Sequence, residues 1–227
     1  KINLSLSVTK KLRNGLHDIQ SIFCLINFYD IINIKKIKKH KKDRISFYGP
    51  YSKNVNKNNN SVGKILNLLR KHKVISDYYS IKINKKIPVF AGLGGGTSNA
   101  VTIFNFLVNK KINKKLSEKI LNQVGTDSRL FFQKQGYLKD INTVVKFKRR
   151  YNLNFLLAFP LVKCSTKKVY SKVKRYSKKA TFSFHNFTKK KRFIKLLIVS
   201  KNDLQSIVEK QYPIIRKLVS DIDNNNG

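Results

Sequence analysis

The chain has 227 residues, enough for one good core or two modest ones, and carries a formal net charge of +38 from 49 basic and 11 acidic side chains. Such a charge ordinarily points to nucleic acid or an anionic surface. Here the lysines are scattered among many Asn and Ile, and Met and Trp are absent, so the bias reads as compositional and no nucleic-acid partner is expected. Cys24 and Cys164 have no CxxC partner, which argues against a disulfide framework or a zinc site. No apolar run approaches a membrane span and the N-terminus lacks a signal-peptide core, so no membrane partner is expected and the expected setting is a reducing cytoplasm.

Ile2, Leu4, Leu6 and Val8 alternate with polar residues, the period of a half-buried strand, with Lys1 and Asn3 on its other face. A turn at Arg13-Asn14-Gly15 leads into a second strand over 16–23, and antiparallel pairing of the two is the simplest outcome. Further strands are expected at 30–38 and 44–48, joined by an exposed basic link at 38–42. The Gly-, Pro-, Ser- and Asn-rich stretch 49–60 is loop. Val62, Ile65, Leu66 and Leu69 then mark an amphipathic helix to about His72.

A lysine-rich strand at 79–85 leads into Pro-Val-Phe-Ala-Gly-Leu-Gly-Gly-Gly-Thr-Ser-Asn-Ala, residues 88–100, and an apolar run with helical spacing (Val101, Phe104, Leu107, Val108) leads out. The stretch therefore reads as a strand-to-helix junction. Four glycines in five positions allow several amides to turn toward one point, and a helix N-terminus there attracts phosphate. Taken alone the segment reads equally as a flexible loop, but Thr97, Ser98 and Asn99 follow as N-cap residues, which favours an ordered helix start. It matches neither the Walker A loop nor the Gly-x-Gly-x-x-Gly fingerprint.

A helix is expected at 117–124 with Ser117 as N-cap, then a polar turn at 125–129 before Leu130-Phe131-Phe132. Asp127 lies in that turn, and on spacing alone it is a solvated turn residue or a helix N-cap. A hairpin at 136–147 and a buried strand at 155–159, ending at Pro160, follow. The basic stretch 167–195 gives no clear pattern, and two helices come after it, one with Leu204, Ile207 and Val208 and one opened by Pro213. Composition shifts near Tyr151, so the expected domains are 1–150 and 151–227. Starting at Lys1 and stopping at Gly227, the sequence reads as a piece cut at both ends.

Four blocks, in order, resemble the GHMP kinases, and among them the branch that phosphorylates the 2-hydroxyl of 4-diphosphocytidyl-2-C-methyl-D-erythritol in non-mevalonate isoprenoid synthesis. They are Lys1-Ile2-Asn3-Leu4-Ser5-Leu6, Gly15-Leu16-His17-Asp18-Ile19-Gln20-Ser21, the stretch from Pro88 to Ala100, and Gly125-Thr126-Asp127. The likeness covers nearly the whole chain. It implies an α+β fold, with a ribosomal protein S5 domain 2-like ATP-binding domain over 1–150 and part of a GHMP kinase C-terminal α+β domain over 151–227. It also implies ATP and Mg²⁺ as cofactors, a small-molecule substrate built on cytidine diphosphate, and a monomer or weak homodimer. The implied location is a bacterial-type cytoplasm or a plastid-like organelle.

By the same resemblance Lys1 and Asp127 are catalytic. Pro88, Gly92, Leu93, Gly94, Gly95, Gly96, Thr97, Ser98 and Asn99 hold ATP, Asn60 lies at the adenine and Ser98 helps place the metal. Asn3, Leu16, His17, Thr166 and Tyr170 hold the substrate; without the resemblance His17 would read as a partly buried strand histidine.

The chain departs from the pattern at several points. Thr97 replaces a serine, and Ser128-Arg129 replace Val-Pro, leaving the Asp127 turn less constrained. Leu16 stands for a tyrosine and offers no π face. Leu161 stands for a glycine, and a third Gly-rich motif would lie beyond Gly227. Alternative readings are a GHMP kinase for homoserine or a mevalonate-type alcohol, a basic nucleic-acid-binding protein on the same S5-like fold, and an inactive remnant.

Overall fold

The computed structural model describes residues 1–38, 41–108, 112–147, 149–181 and 189–224. Parts of the expected basic link (39–40) and of the unpatterned basic stretch (182–188) lie outside the described residues. Two compact units are present, one of Lys1, 26–89 and 93–132, the other of 2–25, 90–92 and 133–227. They interleave along the chain.

The first unit is built on a three-stranded sheet of β4 (Ile31–Ile37), β5 (Arg44–Tyr48) and β6 (Tyr78–Asn84), with β6 in the centre. β4 pairs with β6 antiparallel and β5 pairs with it parallel. A parallel pair needs a crossover, which α1 (Ser61–Lys71) supplies. Alternation along β6 buries Tyr79, Ile81 and Ile83. They form one core with Val62, Ile65, Leu66 and Leu69 of α1, Ala100, Ile103 and Phe104 of α2 (Gly95–Val108), and Ile120 and Leu121 of α3 (Lys114–Val124).

α3 begins three residues before the predicted start. Asn113 is its cap, accepting from Leu116 N at 2.8 Å, while the Ser117 hydroxyl turns back to donate to Asn113 O. An Asn one turn upstream captures the cap because Lys114, Lys115 and Leu116 all tolerate helix.

The second unit holds an antiparallel sheet in the order β1 (Ile2–Asn3), β3 (His17–Cys24), β7 (Gln135–Asp140), β8 (Thr143–Lys146), with β2 (Ser7–Lys11) also paired to β3. The β2–β3 pair and the β7–β8 hairpin follow the sequence pattern. The single strand predicted over 2–8 is broken instead. Leu4 N and Ser5 N both donate to Ile22 O, and Ser5 Oγ accepts from Ile22 N, so the ladder is interrupted before Ser7.

Residues 155–159 are not a buried strand. They join no sheet among the described residues, and Leu156 is 93% exposed. A continuous apolar run marks a strand only where a sheet receives both of its faces. Helices α4 (Thr166–Tyr170), α5 (Lys190–Val199), α6 (Gln205–Gln211) and α7 (Pro213–Asn224) complete this unit. Its aromatic core stacks Tyr151 on Phe193 at 4.4 Å, with the edge of Phe147 at 5.7 Å.

Candidate active site

β6 ends at Asn84 and α2 begins at Gly95, so the glycine-rich segment is an extended loop closed by a helix start. Gly92 and Gly94 adopt φ of 74° and 71°, the left-handed region that glycine enters without a steric penalty. α2 starts before the residues expected to cap it. Ser98 N already donates to Gly94 O, which places Thr97 and Ser98 inside the first turn and Asn99 directly after it. The amides of Gly95, Gly96 and Thr97 therefore have no carbonyl within the helix to bond, the arrangement that favours an anion.

The first turns of α1 and α2 lie side by side, since a β-carbon on Gly96 would sit 3.1 Å from Ser61 Oγ. Asn60 is fully engaged. Its Oδ1 accepts from Val62 N and Gly63 N as the α1 cap, and its Nδ2 donates to Asn56 O and Lys57 O. Pro88 is buried at the loop's entry.

The structure brings Lys1 and Asp127 together. The ammonium lies 3.0 Å from the carboxylate, with the lysine side chain 5% exposed and the aspartate 34%. Lys1 N donates to Leu93 O at 3.0 Å, fixing this cation against the glycine-rich loop. Asp127 stands in a 3-10 helix, Thr126–Phe132, directly after α3. The Ser128-Arg129 replacement leaves this turn well anchored. The fully buried Ser128 hydroxyl reaches Gly125 O at 2.7 Å and Leu121 O at 3.0 Å, and the Arg129 guanidinium donates to Asn122 Oδ1. Gly125 has a packing reason of its own, because a β-carbon there would lie 3.1 Å from Thr97 Oγ1.

Asn99 does not face the loop's open side. Its buried amide donates to Asp30 Oδ2 at 2.8 Å, and the same oxygen accepts from Lys85 Nζ at 2.6 Å. Burial holds the Lys85 ammonium below its ordinary pKa, with Asp30 opposing that shift. Sequence reasoning missed Asp30 and Lys85. The available signal was an acidic residue, one of only eleven, heading a strand and a lysine closing one.

In the second unit, His17 and Tyr170 meet with ring centroids 5.3 Å apart, and Tyr176, unforeseen from sequence, lies 6.4 Å from the same imidazole. Burial, and secondarily the Lys11 charge, hold the His17 pKa below its usual value. Asn3 Oδ1 accepts from Ser21 Oγ at 3.3 Å. Leu16 and Thr166 are exposed, and Ser165 caps the short helix that Thr166 begins.

The family model described as GHMP kinases N terminal domain matches residues 60–137. A 4-diphosphocytidyl-2-C-methyl-D-erythritol kinase from Pelagibacter ubique is 37% identical over 226 residues, covering 97% of this chain and 78% of that protein. The chain belongs to this kinase family, within the GHMP kinases. A chloroplastic relative with the same enzyme name from Oryza sativa subsp. japonica is 34% identical over 185 residues, 77% of this chain and 45% of that protein. A crystal structure of 4-(cytidine 5'-diphospho)-2C-methyl-D-erythritol kinase superposes with a TM-score of 0.64 at 17% identity, covering 96% of this chain and 78% of that one, and establishes the shared α+β fold. Family membership makes this an ATP-using kinase of a small molecule. No helix among the described residues is long and apolar enough to cross a membrane.

Proposed function

We propose that the protein transfers the γ-phosphoryl group of ATP to the 2-hydroxyl of 4-diphosphocytidyl-2-C-methyl-D-erythritol, a step of non-mevalonate isoprenoid synthesis. The observation that carries this reading is the Lys1–Asp127 pair at 3.0 Å, beside a loop whose helix amides suit phosphate. Phosphoryl transfer asks the protein mainly to position groups and neutralise charge. Loop and helix-start amides from Leu93 to Thr97 hold the phosphates, the Ser98 amide being bonded to Gly94 O. The Asp127 carboxylate accepts the proton of the acceptor hydroxyl, and the Lys1 ammonium stabilises the oxygen as it becomes negative.

Pro88, Gly92, Gly94, Gly95, Gly96 and Thr97 shape the ATP loop in this reading, with Asn99 supporting its helix start and Asn60 bordering the adenine. Asn3, Leu16, His17, Thr166 and Tyr170 are assigned to substrate, His17 and Tyr170 to its cytosine. No cluster of three metal-ligating side chains occurs among the described residues, which fits Mg²⁺ held largely by phosphate oxygens with Ser98 Oγ as a protein ligand. When bound, the ion neutralises phosphate charge. The reading includes an N-terminal nucleotide-binding domain over 1–150, part of a C-terminal domain over 151–227, a monomer or weak homodimer, and a cytoplasmic or plastid-type location. No nucleic-acid partner is included.

The deciding experiment is turnover of ATP with three acceptors: 4-diphosphocytidyl-2-C-methyl-D-erythritol, homoserine and mevalonate. Phosphorylation of the first alone is expected. Preference for either of the others overturns the substrate assignment, and steeply salt-dependent RNA binding with no turnover favours the nucleic-acid reading.

A further inference from the structure

Asp30 stands just before β4, and its side chain is completely buried. A lone carboxylate in such a place is costly, yet this one has a partner for each oxygen. Oδ1 accepts from the amides of Lys86 and Ile87, both at 2.8 Å. Oδ2 accepts from Lys85 Nζ at 2.6 Å and Asn99 Nδ2 at 2.8 Å. The Lys85 ammonium, 5% exposed, donates also to Ile87 O at 2.8 Å. Three stretches are thus joined at one carboxylate: the start of β4, the chain leaving β6 and the N-terminal part of α2.

Location gives the cluster its importance. A β-carbon on Gly95, the first residue of α2, would lie 3.1 Å from Lys85 Nζ, so the ion pair sits directly beneath the helix N-terminus. An anion near that terminus strengthens the helix but repels a phosphate approaching the same amides. A paired ammonium removes the repulsion and leaves the hydrogen bonds in place.

We propose that Asp30, Lys85 and Asn99 are positioning residues that fix the α2 N-terminus for ATP, with Lys85 cancelling the Asp30 charge so that the loop keeps its attraction for phosphate. The inference rests on the phosphate-loop reading above. Asp30 holds the geometry, Lys85 sets the local field and Asn99 ties the helix to both. None of the three need touch the nucleotide.

The test compares equilibrium binding of ATP and of adenosine, which has the same base and sugar but no phosphate, to the whole protein. Lys85→Met is expected to raise the Kd for ATP at least about tenfold and to leave that for adenosine within about twofold. The charge-neutral double variant Asp30→Asn/Lys85→Met is expected to bring the Kd for ATP back to within about threefold of wild type. Equal losses for the two ligands, or no recovery in the double variant, overturn the proposal while leaving the phosphate loop standing. If wild type binds ATP no more tightly than adenosine, the loop reading falls and the proposal with it. Should Lys85→Met not fold, Asn99→Ala, which keeps the ion pair, decides: an ATP-selective loss of about fivefold supports positioning, and an equal loss overturns it.

Discussion

The Lys1 side-chain ammonium and the Asp127 carboxylate are 3.0 Å apart, and the main-chain nitrogen of the same lysine donates to the Leu93 carbonyl. One residue therefore binds both the acidic group and the loop assigned to ATP. This links the placement of the proposed base to the placement of the phosphates.

Asp127→Asn keeps the size of the side chain and removes its ability to take a proton. Turnover is expected to fall at least about a hundredfold with ATP affinity nearly intact. Steady-state kinetics with a parallel nucleotide-binding measurement checks this, and unchanged turnover removes Asp127 from the mechanism.

Gly94→Ala places a β-carbon on a residue with φ of 71° and 3.0 Å from Phe131 Cζ. The left-handed conformation alone costs about 1–2 kcal/mol. A lower Tm together with weaker ATP binding is expected. A variant as stable as wild type would mean that the loop adopts another conformation in solution.

His17 should be neutral near pH 7, because burial and the Lys11 charge hold its pKa below the ordinary value. If it binds substrate as a neutral imidazole, the KM for the cytidine substrate is expected to be flat between about pH 7 and 8.5 and to rise as pH falls below about 6.5. Tyr170→Ala is expected to raise the same KM about tenfold by removing the ring beside the imidazole. A pH-independent KM in the acid range would argue against His17 as a ligand.

Asp18 is buried in β3. Burial raises its pKa, but the Ile141 amide and the Lys179 ammonium outweigh that effect and leave it below the ordinary carboxylate value. The folded state thus binds this proton less readily than the unfolded chain, so the stabilisation is present above about pH 4 and is lost as pH falls through the lowered folded pKa. Acid denaturation of Asp18→Asn should start from a lower stability at neutral pH and be less steep over that range. A pH dependence identical to wild type would contradict the assignment.

Much of the fold was legible because local pattern and tertiary demand agree. Alternation along β6 and the spacing of Val62, Ile65, Leu66 and Leu69 predict which faces are buried, and those faces form the first core. The pattern failed where a side chain competes with the backbone or a partner strand is required. Ser5 interrupts the first strand by bonding Ile22 N, Asn113 takes the cap expected of Ser117, and 155–159 joins no sheet among the described residues. In the candidate site, the glycine-rich loop was visible as a motif, and the Lys1–Asp127 pair only through the family resemblance, since on spacing alone Asp127 is a turn residue. The Asp30–Lys85 pair was not, because nothing local indicates that two charges so far apart in sequence are buried against each other.

The pairing of β3 with β7 carries a consequence for synthesis on the ribosome. Phe23 is registered with Gly136, and between these strands lies nearly the whole of the first unit, which can complete its own sheet from 26–132. The unit assigned to ATP is thus able to fold while β3 still lacks β7, exposing a strand edge that later translation must cover. Slowed elongation after residue 132 would lengthen that exposure, making aggregation of the nascent chain sensitive to translation speed at this point in the message.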